Sequence, residues 1–251
     1  MDKQESKILF DKILDVIGSF EIDDLDGPYF IARQTVWYSY PMMIKWKISE
    51  RNKMDSDKQH SLIFGINTSL IVDCASFVEG VIDEVLRKVL YHRQYPAKDE
   101  LKYRLITDLE NRLENAQWTE YIKVSELIIG KTMSNSLGND LWKSISTMFV
   151  FRNMIVHGKE LQIEYYKDSK EKIRVVVPRK YNTVYGYLIE KRVITKKIKD
   201  RYDRIDIIDN LVIDHFFKIS IQFLLKYVKL FNKKERENIE TRIVEAINLT
   251  E

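Results

Sequence analysis

The chain reads as a mainly α protein, an up-and-down helical bundle with a small antiparallel β insertion before the last core helix. Three observations predict it. Apolar residues recur at helical intervals through most of the 251 residues. Only 8 Gly and 4 Pro interrupt them, which argues against long flexible linkers. Between 160 and 195 the pattern changes to β-branched and aromatic runs around turn-like Asp168-Ser169-Lys170-Glu171.

Taken in order, residues 4–20 read as an amphipathic helix through Ile8, Leu9, Ile13, Val16, Ile17 and Phe20, stopped by the breaker Asp26-Gly27-Pro28. An aromatic helical stretch at 29–51 follows, carrying Tyr29, Phe30, Trp37, Tyr38, Tyr40 and Trp46, kinked or divided at Pro41. The polar run Arg51–Gln59 separates this N-terminal helical extension, 1–59, from a bundle expected over 60–231. His60–Tyr91 is a long helix with Ile71, Cys74, Val78, Val81, Ile82, Val85 and Val89 in its stripe. Helices at 98–117 and 119–130 come next, then a loop at Ser134–Asn139 and a helix at 140–157. Gly158 stands where a left-handed C-terminal cap belongs. Ile163–Tyr166, Ile173–Val177 and Thr183–Ile194 predict two or three strands. Helix resumes at 205–231, and a charged C-terminal helix lies within 232–251.

Bulk properties narrow the function classes. Lys+Arg 41 against Asp+Glu 38 gives +3, too little to argue for nucleic-acid binding alone. A single cysteine, Cys74, excludes an internal disulfide and suits a reducing compartment; its apolar surroundings make it an inert core thiol. With no apolar leader core and no stretch of 18 uncharged apolar residues, the expectation is a soluble cytoplasmic protein without membrane contact. No Cys/His cluster has zinc spacing, and Gly130-Lys131-Thr132 lacks a P-loop's upstream glycine because position 125 is Ser125. No metal or cofactor is expected.

The chemistry concentrates in Phe151-Arg152-Asn153-Met154-Ile155-Val156-His157-Gly158. At about 100° per residue, Asn153 lies about 100° and His157 about 140° round from Arg152, on one side of the helix. Arg152 also falls among Leu141, Ile145, Met148, Phe149 and Val156, where a guanidinium needs a partner, an interface or an anionic ligand. Histidine suits proton transfer near neutral pH. Arginine binds phosphate through two charge-assisted bonds, and an asparagine amide orients either the imidazole or the RNA. These are the parts for metal-free RNA transesterification.

The motif resembles the Arg-x4-His signature, in its Arg-Asn-x-x-x-His form, of the HEPN superfamily (higher eukaryotes and prokaryotes nucleotide-binding). Ala75-Ser76-Phe77-Val78-Glu79-Gly80-Val81-Ile82 is similar to the acidic first core helix of several HEPN families. The resemblance implies an up-and-down bundle with the motif ending the penultimate core helix. It also implies a metal-independent endoribonuclease of the toxin or phage-defence kind, which leaves a 2′,3′-cyclic phosphate. One histidine per motif would be doubled by homodimerisation into a composite site, with the apolar face around Arg152 as the interface. An antitoxin or defence partner belongs to the same expectation. One departure bears on regulation: nucleotidyltransferase-paired HEPN toxins carry Tyr two residues after the His, where this chain has Lys159. Some superfamily members bind RNA or a partner without cutting it, so a non-catalytic module is the alternative reading. An all-α structural protein with a chance match is a third.

Supporting residues have two readings each. Glu79 is the candidate partner for Arg152 or a solvated carboxylate. His215 is a second acid/base group or a satisfied core histidine; His60 and His92 look like surface residues. The basic stretch 190–204 carries Lys191, Arg192, Lys196, Lys197, Lys199, Arg201 and Arg204, with Tyr181, Tyr185, Tyr187 and Tyr202 nearby. It is an RNA-gripping surface or a solvated one.

Overall fold

A computed structural model describes residues 20–23, 31–34, 36–94, 100–158, 164–167, 173–176, 178–194, 207–236 and 239–248. Strands β1 (Phe20–Asp23) and β2 (Ile31–Gln34) pair antiparallel, and a 3-10 turn, Val36–Ser39, leads into α1 (Tyr40–Asn52). Then come α2 (His60–Gln94), α3 (Glu100–Leu113), α4 (Trp118–Ile129), α5 (Met133–Leu137) and α6 (Asn139–His157). Strands β3 (Glu164–Lys167) and β4 (Ile173–Val176) also pair antiparallel. Helices α7 (Arg179–Glu190), α8 (Asn210–Tyr227) and α9 (Ile239–Asn248) complete a mainly α architecture, with a 3-10 turn at Val228–Leu230.

α2 is the central post. It touches α1, α3, α4, α6 and α8, and Leu70, Cys74, Phe77, Val81, Val85 and Val89 are fully buried along it. Such a helix, apolar around most of its circumference, is stable only inside other helices. By length and composition alone it would also pass for a membrane span. α6 and α8 run antiparallel beside it: Ser220 Oγ donates to Met148 Sδ at 3.2 Å, and the Phe151 and Phe216 rings lie 6.0 Å apart. α7 lies along α6, with Lys143 bonded to Glu190 at 2.5 Å and Lys191 to Asp140. Trp37, Ile44, Ile239 and Ile243 join the same core, so 36–52 and α9 pack with the bundle residues.

Several sequence expectations change. The stretch 29–51 is not one helix: Ile31–Gln34 is a strand, and Pro41 sits in the first turn of α1, where its missing N–H costs nothing. The expected loop at 134–139 holds the short helix α5, whose N-cap Thr132 accepts from Asn135 N–H at 3.4 Å. Thr183–Ile194 is not a strand. Its residues lie largely in α7, where Tyr181, Val184, Tyr187 and Leu188 are buried at helical spacing. The helix expected at 4–20 lies outside the described residues apart from Phe20, which opens β1. Gly158 ends α6 at φ 65°, and its N–H bonds Met154 O at 2.9 Å, the left-handed cap that glycine adopts without a Cβ penalty.

Candidate nucleic-acid site at the end of α6

α6 carries Arg152, Asn153 and His157 in its last two turns. Phe151 and Met154 anchor this end in the core, which fixes the helix's rotation and turns His157 outward as an exposed residue. Arg152 Nη1 donates to Asn153 Oδ1 at 3.0 Å, and Nη2 reaches Glu79 Oε2 at 3.5 Å. The Arg152 side chain keeps 29% exposure and Glu79 19%, so the pair sits at the mouth of the α2–α6 seam. Arg152 Nε is shielded from solvent and has no hydrogen-bond partner among the described residues.

Burial holds the Glu79 carboxyl above its ordinary range, although the Arg152 guanidinium and a bond from the Trp118 backbone N–H pull it down. The Trp118 ring, at the start of α4, stacks on Phe149 with centroids 3.7 Å apart. One turn along α2, Asp83 accepts from Arg87 Nε at 2.8 Å and from the Tyr121 hydroxyl at 3.3 Å. Burial, first, and then Asp83 raise the Tyr121 pKa. The motif therefore faces a half-buried polar seam. Sequence reading found Glu79 there, near Asp83 on the same helix, but missed Tyr121 and Trp118, which only the α2–α4 contact brings near.

One expectation is corrected. Leu141, Ile145, Met148 and Phe149, the apolar face around Arg152 that was to form a dimer interface, are buried in this chain's own core. Of that group Val156 is at the surface, 54% exposed. Arg152 lies on an apolar stripe because it caps the stripe's solvent end.

The other candidates separate from this site. His215 Nε2 is 2.8 Å from the Tyr187 hydroxyl, which also bonds Ser144. Ser144 is about two turns, or about 12 Å, back along α6 from Arg152. Burial, with Lys191 and Lys218 nearby, lowers the His215 pKa, so this histidine is a satisfied neutral group between α7 and α8. Burial also pushes the Cys74 thiol up, in keeping with an inert core residue. In the basic stretch, Lys191 is tied to Asp140 and Arg192 is exposed at φ 56°, just past α7. Lys196, Lys197, Lys199 and Arg201 lie outside the described residues, as does Lys159.

Arranged in this way, the site offers a guanidinium with unspent hydrogen-bonding capacity, an exposed imidazole and an amide between them. It suits an anionic oxygen ligand that brings a proton to exchange. No family model matches the chain, and searches of the curated proteins and of the solved structures return no match, so the reading of this site rests on its own residues.

Proposed function

We propose that the protein is a metal-independent endoribonuclease of the HEPN kind, acting as a toxin or antiphage-defence effector. One observation carries the reading: on one helix end, Arg152 holds Asn153 at 3.0 Å, keeps a shielded Nε with no partner among the described residues and stands one to two turns from an exposed His157. In this mechanism a neutral His157 takes the proton from a ribose 2′-OH, and the 2′-oxygen attacks the adjacent phosphorus. A protonated His157 of a second copy gives a proton to the departing 5′-oxygen. The products are a 2′,3′-cyclic phosphate and a 5′-hydroxyl. Arg152 stabilises the charge on the phosphorane oxygens, and Asn153 orients the guanidinium. The dimer that supplies the second histidine uses the exposed last turn of α6, Val156 and His157, in place of the buried stripe.

The test incubates wild type and His157→Ala with single-stranded RNA in excess EDTA, mapping product ends and recording oligomeric state. Cleavage leaving cyclic phosphate, reduced about 10²–10⁴-fold in the variant, is expected. A second reading, an RNA- or partner-binding module that does not cut, draws on the Glu79–Arg152 contact, which occupies part of the guanidinium within one chain. RNA binding by a folded dimer without cleavage would select it.

A further inference from the structure

Beside the motif, α6 and α7 enclose a groove of about 630 Å³. Its α6 wall includes Trp142, Ser146 and Val150, spaced i, i+4, i+8; its α7 wall includes Thr183, Gly186 and Tyr187, and the paired Lys143 and Glu190 stand at one end. On the helix, Trp142, Ser146, Val150, Asn153 and His157 fall within about 80° of arc, so the groove floor continues into the motif residues. Val150 and Asn153 are separated by about 4.5 Å of helix rise. Arg152 flanks this stripe on its α2 side, bonded to Asn153.

The wall contains a hydroxyl with nothing to hold. Ser144 and Thr147 donate to the carbonyls four residues back, at 2.8 Å each, as helical Ser and Thr commonly do. Ser146 between them does not; its Oγ is shielded from solvent and has no partner among the described residues. Opposite, Gly186 lies in the middle of α7, where glycine weakens a helix, and a Cβ there would meet no atom within 4 Å. An indole on one wall, a glycine gap between Thr183 and Tyr187 on the other, and a hydroxyl with no partner among the described residues describe a slot for a flat ring with a polar edge.

We propose that this groove receives one unpaired RNA base, that of a nucleotide flanking the phosphate at Arg152 and His157, with the Ser146 hydroxyl, shielded in the free protein, turning about its Cα–Cβ bond to meet the base edge. The proposal rests on the ribonuclease reading for the position of that phosphate. It makes Ser146 and Gly186 specificity determinants that take no part in proton transfer.

The test measures binding of 2′-O-methyl single-stranded oligonucleotides, which cannot be cleaved, separately from cleavage-site preference on a randomised RNA. Wild type, Ser146→Ala, Gly186→Ala, Gly186→Phe and His157→Ala are compared, with thermal melting to establish folding. Gly186→Phe fills the groove, and at least about tenfold weaker binding is expected, the scale of losing one stacked base. Ser146→Ala should shift base preference beside the cleaved bond, while Gly186→Ala weakens binding less than Gly186→Phe does. His157→Ala should lose cleavage. A folded Gly186→Phe with unchanged binding and preference overturns the groove assignment and leaves the nuclease standing. Groove-dependent binding without wild-type cleavage overturns the nuclease and leaves the groove a base site. No binding by wild type overturns the groove.

Discussion

The two sides of α2 treat charge in opposite ways. Toward α1, Arg51 and Lys47 each meet a carboxylate at hydrogen-bond distance. Arg51, with its side chain 1% exposed, donates to Asp214 at 3.0 Å, to Asn67 at 3.2 Å and to Asn52 at 3.0 and 3.1 Å. Lys47 meets Asp73 at 2.6 Å, and Trp37 lies directly against Gly80 while its indole N–H donates to Glu84. Toward α6, Arg152 has a 3.5 Å contact with Glu79, a 3.0 Å bond to its neighbour Asn153, 29% exposure and an Nε with no partner among the described residues. A buried arginine with a partner at every nitrogen acts as a fastener, whereas one with fewer partners at the surface keeps donors that a ligand could use.

The largest expected effect comes from exchanging these roles. Arg51→Met should cost about 2–4 kcal/mol, since it strands Asn67 and Asp214; the half-exposed Asp214 keeps the value within that range. Arg152→Met should cost under about 1 kcal/mol yet abolish RNA cleavage. Urea unfolding of both variants checks this, and equal losses of stability would erase the distinction. Next comes Gly80→Ala. A Cβ there would stand 2.8 Å from Trp37 Cβ, next to backbone, so the collision cannot be relieved by a swinging side-chain tip. A net loss of about 1–3 kcal/mol is expected despite the helix preference of alanine, and a variant as stable as wild type would show that the α1 side yields.

The smallest effect sits on the open side. Burial raises the folded pKa of Glu79 above 4.5. Its contribution to stability is therefore full below pH 4.5 and declines as pH rises through the folded value. Glu79→Gln keeps an acceptor for Trp118 N–H but cannot ionise. The stability of wild type relative to Glu79→Gln should fall on raising the pH above 4.5, and a pH-independent difference would remove Glu79 from the account.

Much of this was legible in the sequence where local and tertiary forces agree. α2 announced itself by a long helical stripe, and α6 by its stripe and its closing Gly158. α7 was misread because Val184, Tyr185, Tyr187 and Ile189 favour strands individually, while packing against α6 rewards their helical spacing. Arg51 opened a polar run and looked like a boundary residue, yet Asp214, which buries it, is 163 positions away. The motif residues were found by spacing. Whether the apolar face of Arg152 was core or interface depended on α2 and α8, which no local pattern reports. Ser146 gave no signal at all, since a helical serine ordinarily bonds its own backbone.

The pairing of Lys143 with Glu190, at one end of the α6–α7 groove, has a consequence of its own. From Val150 to Lys143 the helix advances only about 10 Å before this bridge spans the two walls. A groove stopped in this way has a fixed length as well as a lining. If it takes a base as proposed, its depth admits one residue of a polymer, and the two surface side chains of the bridge set where that residue stops.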